Sequence, residues 1–257
     1  MGKGVITVQQ ESTVEGAIRA MEEHNIGSVV VLDALGPCGV FTERDLLSRV
    51  LARRIDPEVI VIADVASPKF PSIPSSLTLE ETAAAMIEKK SRLMVFEGAS
   101  LVGMVTPTDI VRVLRGVEAD FSILKVISTR LVTVLPETPV EDVVRLMDEK
   151  KTGSVLLCED GQWTGIFTER DLVRRILAPK RGLNTPVREA ATSPVVTAEP
   201  GIFGREVAGI MANHGFKRLP LSLEGEGVGI VTARDVVEAF AMANKPRAPR
   251  VDWVQWN

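Results

Sequence analysis

The fold is decided by a seven-residue phrase that occurs four times, as Gly39-Val-Phe-Thr-Glu-Arg-Asp45, Gly103-Met-Val-Thr-Pro-Thr-Asp109, Gly165-Ile-Phe-Thr-Glu-Arg-Asp171 and Gly229-Ile-Val-Thr-Ala-Arg-Asp235. The glycines lie 64, 62 and 64 residues apart, so the first and third copies, like the second and fourth, are offset by 126 residues. A fixed internal period sets the architecture before any residue is given a role. The sequence therefore predicts four copies of one supersecondary unit, arranged as a duplicated pair.

The 126-residue offset extends well beyond the phrase. Ile26-Gly-Ser-Val-Val30 aligns with Thr152-Gly-Ser-Val-Leu156, and Arg92-Leu93 aligns with Arg218-Leu219. The odd repeats share Gly-Ser before their central strand, whereas the even repeats have a basic residue there. We therefore predict two modules of two repeats each. The predicted boundaries are 1–118 for module 1 (repeats at about 3–54 and 64–116), 119–243 for module 2 (repeats at about 125–179 and 187–243) and 244–257 for a C-terminal tail.

Each repeat is predicted to run strand, helix, strand, strand, helix. In repeat 1, Val14, Ala17, Ile18 and Met21 recur at helical spacing. The apolar run of residues 28–32 and the short run at the start of the phrase are typical of strands that are buried on both faces. The predicted fold class is α/β.

Composition limits the kinds of protein this chain can be. Two modules of this size can each bury a core, and with 4% aromatic residues and no tyrosine that core must be aliphatic. A net charge of −4 argues against a generally basic nucleic-acid-binding protein. No apolar run approaches the length of a membrane span, and we expect no signal peptide, because the first residues lead directly into repeat 1. The sequence predicts a cytoplasmic protein.

No constellation of residues predicts catalysis. The two cysteines and two histidines each stand alone at positions that are not repeated at the 126-residue offset, and none has metal-ligand spacing. There is no paired Ser-His-Asp arrangement and no glycine-rich loop that ends in Gly-Lys-Ser/Thr. We expect no catalytic residues, no metal and no catalytic cofactor, and an enzyme is the least favoured interpretation.

The end of the phrase predicts a capped turn from strand to helix. A Thr followed three residues later by an acid, at the start of an apolar-periodic helix, forms a capping box with Asp in place of Glu. In repeat 2, Pro107 occupies the first helical position, where its fixed φ is favourable. Capping alone therefore explains the Thr and the Asp in all four copies.

The phrase also has the chemistry of a ribose-phosphate site. A helix N-terminus presents unpaired amides and a positive dipole, which together attract anions. The residue before the Asp is Arg in repeats 1, 3 and 4 and Thr in repeat 2, so a side-chain donor is always present. A carboxylate can accept hydrogen bonds from ribose hydroxyls, as it does in other nucleotide-binding folds. The phrase glycine permits close approach of either another backbone or a ligand.

With Gly-Ser-Val or Arg-Leu before the central strand, the phrase resembles the cystathionine-beta-synthase (CBS) domain, two copies of which form a Bateman module. The resemblance covers roughly residues 3–243. The four-repeat layout is similar to that of the gamma subunit of AMP-activated protein kinase and of free-standing archaeal or bacterial CBS proteins. The resemblance implies two Bateman modules that stack into a flat disc, either within one chain or by homodimerisation.

The resemblance also implies a regulatory ligand of the adenosyl class, namely AMP, ADP or ATP, or else S-adenosylmethionine or NAD, in clefts between paired repeats. It places ribose on Asp45, Asp109, Asp171 and Asp235. It places phosphates on Thr42, Thr106, Thr168 and Thr232 together with Arg44, Thr108, Arg170 and Arg234. It matches the family's basic residues before the even central strands with Arg92, Lys217 and Arg218. It places Ser128 and Thr192 near the adenine, where the other two repeats have Gly2 and Ala66.

Three functions are compatible with the sequence. The favoured one is a non-catalytic sensor that transmits the state of its nucleotide to an unknown regulated protein. The alternatives are a ligand-free scaffold and a sensor of another adenosyl ligand. In the tail, Trp253 and Trp256 either pack on the protein's own surface or dock a partner. Because Arg170 and Arg234 lie on no cap, we expect their replacement to leave stability unchanged.

Overall fold

The computed structural model describes residues 4–68, 70–118 and 120–244, together with the backbone of a short strand, Asp252–Val254. The predicted order of strand, helix, strand, strand, helix is confirmed in repeats 1 to 3. In repeat 4, a single parallel bridge between Ala198 and Leu221 takes the place of the first strand.

Twelve strands, eight α-helices, two π-helices and three short 3-10 helices (Leu51–Arg53, Ile62–Asp64 and Val187–Glu189) are found in these ranges. The strands are β1 (Thr7–Gln9), β2 (Ser28–Asp33), β3 (Gly36–Thr42), β4 (Phe70–Pro74), β5 (Leu93–Glu97), β6 (Ser100–Val105), β7 (Thr133–Val134), β8 (Ser154–Glu159), β9 (Gln162–Thr168), β10 (Arg218–Leu223), β11 (Glu226–Thr232) and β12 (Asp252–Val254). The helices are α1 (Val14–Glu23), α2 (Glu43–Asp45), α3 (Leu79–Lys89), α4 (Pro107–Leu114), α5 (Val140–Glu149), α6 (Glu169–Asp171), α7 (Gly204–His214) and α8 (Ala233–Asn244).

Each repeat builds its own small sheet around an antiparallel hairpin. In repeat 1, β1 pairs in parallel with β2, and β2 pairs antiparallel with β3. Repeats 2 and 3 repeat this order as β4-β5-β6 and β7-β8-β9. The central strand β2 is hydrogen-bonded on both edges, and the consecutive residues Val29 and Val30, whose side chains point to opposite faces, are both fully buried. The continuous apolar run that predicted this strand is therefore explained.

The second helix of a repeat takes two forms, which follow the odd and even pattern of the sequence. In the odd repeats, the first turns α2 and α6 continue as π-helices, Leu46–Val50 and Leu172–Leu177. In the even repeats, α4 and α8 are regular α-helices. π-helical segments are rare and are often found at functional sites.

The chain divides into two compact units. The odd-repeat unit holds repeats 1 and 3 (residues 6–68 and 132–195), and the even-repeat unit holds repeats 2 and 4 (the described residues of 70–131 and 196–254). Each predicted module therefore contributes one repeat to each unit. The boundaries 1–118 and 119–243 stay a prediction.

Both cores are mainly aliphatic, as the composition predicted, although the odd-repeat core also buries Phe41 and Phe167 completely. Helix side chains of repeats 1 and 3 share one hydrophobic cluster, and those of repeats 2 and 4 share another. The even-repeat core also contains an aromatic pair: Phe121 and Phe240 meet edge to face, with ring centroids 5.6 Å apart. Such a pair fixes the position of both rings.

The first residues of a repeat form backbone hydrogen bonds with the strand that carries the phrase in another repeat, here called the phrase strand. Ser67 exchanges two backbone hydrogen bonds of 2.9 Å with Val40, and Ser128 exchanges bonds of 3.0 and 2.9 Å with Ile230. A Cβ atom on Gly229 would lie 3.0 Å from the carbonyl oxygen of Ser128, closer than Cβ contacts normally are. Of the two explanations that the sequence left open for the phrase glycine, the close approach of another backbone is confirmed for Gly39, Gly165 and Gly229.

Part of the C-terminal tail adds a strand to the sheet of repeat 2. β12 pairs antiparallel with β4, with Asp252 opposite Ser72 and Val254 opposite Phe70. The side chain of Trp253 and the whole of Trp256 lie outside the described residues, so the two predictions for these indoles stay untested.

Candidate functional site

The capping box predicted at the phrase is present in all four repeats. In repeat 1, the Thr42 amide donates to Asp45 Oδ2 at 3.0 Å, and the Asp45 amide donates to Thr42 Oγ1 at 3.1 Å. In repeat 4, the Thr232 amide donates to Asp235 Oδ2 at 2.7 Å, and the Asp235 amide donates to Thr232 Oγ1 at 3.3 Å. The boxes of the other two repeats are formed by Thr106 with Asp109 and by Thr168 with Asp171. The Thr and Asp of every phrase therefore stabilise a helix start.

In the odd repeats, the second carboxylate oxygen also has a partner, which the sequence analysis missed. Arg49 Nε lies 3.3 Å from Asp45 Oδ1, and Arg175 Nε lies 3.4 Å from Asp171 Oδ1. Arg49 Nη1 also donates to the carbonyl of Val65 at 2.8 Å. The signal was present in the sequence, because both arginines follow the phrase Asp by four residues and repeat at the 126-residue offset.

The aspartates of the even repeats are more accessible. The Asp109 side chain is 40% exposed, against 10% for Asp45 and 11% for Asp171. Asp235 is partly exposed. Arg112 Nη1 lies 3.4 Å from Asp109 Oδ1, but Arg112 itself is 62% exposed, so this contact is weak.

Two of the arginines predicted to bind phosphate are paired with buried glutamates. Arg44 Nε lies 2.7 Å from Glu169 Oε1, and Arg170 Nε lies 3.5 Å from Glu43 Oε1. Arg44 also donates to the carbonyl of Thr152 at 2.9 Å. The two pairs are reciprocal and join repeat 1 to repeat 3. They change our expectation that Arg170 can be removed without loss of stability, because Glu43 is only 4% exposed.

The basic residues of repeat 4 meet at its turn. Arg218 is opposite Thr232 in the β10–β11 register, and the Ala233 amide donates to the carbonyl of Lys217 at 2.8 Å. Arg234 follows at the second helical position, and its Nη2 is 3.5 Å from the carbonyl of Met86. Burial lowers the pKa of the Arg234 guanidinium, although Glu238 and Asp235 oppose this effect.

In repeat 2, the corresponding positions are less basic. Arg92 directly precedes β5, whose first pair is Leu93 with Val105, so Arg92 lies beside the Thr106 turn. Thr108 is the second residue of α4 and is partly exposed.

The two residues predicted to lie near adenine are among the first residues of their repeats. Thr192 pairs with Ile166, and its Oγ1 is 3.4 Å from Asp171 Oδ1. Ser128 pairs with Ile230, two residues before Thr232. The structure therefore brings each of them to the phrase strand of a repeat other than its own, which the sequence did not predict.

Burial governs the titration of two phrase aspartates. Desolvation raises the pKa of the Asp171 carboxyl, although hydrogen bonds from Thr168, the charge of Arg175 and a hydrogen bond from Thr192 oppose it. Desolvation likewise raises the pKa of Asp235, opposed by Thr232 and by the charges of Arg234 and Arg218. In both residues, nearby hydrogen-bond donors and cations stabilise the ionised carboxylate and partly offset the desolvation.

Asp171→Asn should become more stable relative to the parent as the pH rises. Because the folded-state pKa of Asp171 is raised, the folded parent binds more protons than the unfolded chain between the ordinary value of about 3.9 and the raised value. Its stability therefore falls as the pH rises through that window, and an amide is free of this effect. Urea unfolding of both proteins between about pH 3.5 and pH 7 measures the difference. A difference that is independent of pH would contradict the assignment.

Other classes of site are not found in the described ranges. No three His, Cys, Asp or Glu side chains there are close enough to hold a metal ion. Cys38 and Cys158 are both free thiols. No helix in this part of the chain has the length and apolar character needed to cross a membrane.

Comparison with known proteins identifies the family. The CBS domain model matches residues 1–52, 62–116, 123–178 and 187–242, which is most of the chain. The chain belongs to the CBS domain family, and its four repeats with their small sheets and helices match paired Bateman modules.

Several relatives are similar to this chain. The CBS domain-containing protein YhcV of Bacillus subtilis is 30% identical over 115 residues, which are 45% of this chain and 82% of YhcV. MJ1225 of Methanocaldococcus jannaschii is 26% identical over 190 residues, 66% of this chain and 68% of MJ1225.

Two crystal structures have a similar fold across nearly the whole chain. The structure of MJ1225, a proposed archaeal homologue of g-AMPK, has a TM-score of 0.76 at 20% identity. The match covers 94% of this chain and 98% of the MJ1225 chain. The structure of a conserved protein of Pyrococcus horikoshii has a TM-score of 0.65 at 22% identity, and the match covers 93% of this chain and 96% of the Pyrococcus chain.

Proposed function

We propose that this CBS protein is a non-catalytic regulator that binds an adenine nucleotide (AMP, ADP or ATP) at its strand-to-helix turns. The observation that carries the proposal is the turn of repeat 4. There, a partly exposed Asp235 lies within the electrostatic influence of Arg218 and Arg234, at the start of the twelve-residue helix α8. Such a ligand needs a carboxylate to accept hydrogen bonds from its ribose, and it needs cations and free helix amides to bind its phosphate.

The proposed regulation is a shift between conformational states. A ligand can move such an equilibrium only by as much as its affinities for the two states differ. A phosphate bound at this turn would add negative charge beside Arg218 and Arg234, so the bound and empty turns should favour different side-chain arrangements. A partner protein that prefers one arrangement would then respond to the nucleotide.

A ligand-free scaffold is the second candidate. All four helix starts are closed by their own capping boxes, and the odd-repeat arginines are already paired with protein carboxylates. A protein with these contacts needs no ligand to hold its repeats together.

Thermal unfolding with added ligand separates the two functions. A nucleotide at 100 times its dissociation constant should stabilise the fold by about 2.7 kcal/mol, which raises the Tm by about 5 to 10 °C for a protein of this size. AMP, ADP, ATP, S-adenosylmethionine and NAD should be compared at millimolar levels, with GMP as the control for the base. If none of the adenosyl compounds shifts the Tm, the scaffold is the better description.

A further inference from the structure

The odd and even copies of the phrase differ at one position in a way that the nucleotide proposal does not use. Repeats 1 and 3 both read Thr-Glu-Arg-Asp, whereas repeat 2 has Pro107 and repeat 4 has Ala233 in place of the glutamate. The glutamates, Glu43 and Glu169, are only 4% and 7% exposed. A glutamate is almost never this deeply buried unless its charge is compensated.

The compensation comes from the arginine of the other odd repeat. Arg44 reaches Glu169 at 2.7 Å, and Arg170 reaches Glu43 at 3.5 Å. Backbone hydrogen bonds hold both glutamates in place. The Glu43 amide donates to the carbonyl of Gly27, and the Glu169 amide donates to the carbonyl of Gly153. We call these two reciprocal ion pairs the Glu–Arg lock.

We infer that the Glu–Arg lock commits Arg44 and Arg170 to joining repeats 1 and 3, so that a bound nucleotide takes its phosphate contacts from the even-repeat unit. The role of the lock in joining repeats 1 and 3 concerns the protein alone, whereas the source of the phosphate contacts rests on the proposed function. If Arg44 turned towards a phosphate, the buried Glu169 would lose its 2.7 Å ion pair with Arg44, which is unfavourable. A phosphate beside Glu43 and Glu169 would also be repelled by them.

The aspartates of the odd repeats are engaged in the same way. Oδ2 of Asp45 and of Asp171 accepts from the cap, and Oδ1 lies beside Arg49 or Arg175. Four residues after the phrase Asp, the even repeats have Val113 and Ala239, which carry no charge. Arg112 lies 3.4 Å from Asp109 Oδ1, but it is 62% exposed and this contact is weak. Together with the greater exposure of Asp109, these differences favour the even turns as acceptors of ribose hydroxyls.

The lock is tested by rescue, with no ligand present. Arg44→Ala should lower the Tm by about 4 to 8 °C, because it removes an ion pair of a buried carboxylate, and the effect is moderated by the 37% exposure of the Arg44 side chain. Adding Glu169→Ala to this variant should restore part of the loss, since the double variant has no charge to bury and has the residue that repeat 4 uses at this position. Arg234→Ala is the matched control, because its phrase has no glutamate, and its Tm should change by less than about 2 °C. A double variant less stable than Arg44→Ala would show that there is no lock.

The second half of the inference is tested by calorimetric titration with AMP. The rescued Arg44→Ala/Glu169→Ala variant should bind AMP with the parent's affinity and stoichiometry, whereas Arg234→Ala should bind it at least about 10-fold more weakly. Weaker or fewer AMP sites in the rescued variant would show that Arg44 binds phosphate and would overturn the assignment. If the parent binds no adenosyl ligand, the proposed function fails, and the rescue experiment still decides whether the lock exists.

Discussion

Gly204→Ala should lower the free energy of unfolding by about 2 to 3 kcal/mol, because the added methyl group would overlap an aromatic ring in the even-repeat core. A Cβ atom on Gly204 would lie 2.0 Å from Cε2 of Phe121 and 2.5 Å from its Cδ2. The ring has little freedom to withdraw, since Phe121 is 4% exposed and packs edge to face against Phe240. The Gly204 amide also donates to the Phe121 carbonyl at 2.8 Å, which keeps the two backbones together. Urea unfolding followed by circular dichroism measures the loss.

Gly209→Ala provides the control in the same helix. Nothing lies within 4 Å of a Cβ atom at this position. Alanine is favoured over glycine inside a helix by roughly 0.5 to 1 kcal/mol, so this variant should be more stable than the parent. The two substitutions make the same chemical change in α7, and they should have opposite signs. Equal effects at both positions would show that the Phe121 contact does not determine the outcome.

Local signals made most of each repeat predictable. The capping boxes follow from a Thr and an Asp three residues apart, since this spacing alone brings both side chains to the same helix start. The buried helix faces follow from apolar spacing, and Val14, Ala17, Ile18 and Met21 are all buried as that spacing requires. The mainly aliphatic core follows from the low proportion of aromatic residues, 4% of the chain.

The grouping of the repeats could not be predicted in the same way. Adjacency in the sequence predicted modules of consecutive repeats, and these modules stay a prediction; it did not predict the two compact units, which hold repeats 1 and 3 and repeats 2 and 4. This pairing depends on which helix faces meet, and the apolar periodicity of a helix shows only that a face is buried. The bridges that Ser128 forms with Ile230 of β11 and Thr192 forms with Ile166 of β9 likewise depend on backbone pairing between residues far apart in the sequence.

The partners of charged residues were the least predictable part of the site. Arg44 and Arg234 occupy the same position in the phrase, yet one meets a buried glutamate and the other a backbone carbonyl. The sequence did contain a distinguishing sign, the glutamate present only in the odd phrases. Its meaning depends on its burial, which a glutamate at an ordinary helix start would not have.

Asp235→Ala should weaken AMP binding by about 30-fold to 1,000-fold, which corresponds to roughly 2 to 4 kcal/mol for two hydrogen bonds from ribose hydroxyls to a carboxylate. The substitution also removes the cap, which should lower stability by about 1 kcal/mol or less. Titration calorimetry with AMP measures the first effect, and urea unfolding measures the second. The two effects have to be separated, because a destabilised turn could by itself weaken binding.

The first helix of repeat 2 offers a control for the cap. Thr78 and Glu81 form a capping box in the same unit, in which the Thr78 amide donates to Glu81 Oε2 at 3.0 Å and the Glu81 amide to Thr78 Oγ1 at 3.2 Å. Glu81→Ala should lower stability by a similar amount and leave AMP binding unchanged, since this box lies in no phrase. If Asp235→Ala and Glu81→Ala reduce stability equally and both bind AMP as the parent does, Asp235 is a cap and the ribose assignment is wrong.

Arg234→Ala completes the argument by testing the phosphate separately from the ribose. Arg234 lies beside Asp235 but on no cap, so its removal should weaken AMP binding and leave adenosine binding nearly unchanged. Asp235→Ala should weaken both ligands by the same factor, because both contain the ribose. The ratio of AMP affinity to adenosine affinity is therefore expected to fall in Arg234→Ala and to stay constant in Asp235→Ala. A general loss of folding cannot produce this pattern, because unfolding lowers the affinity for both ligands alike.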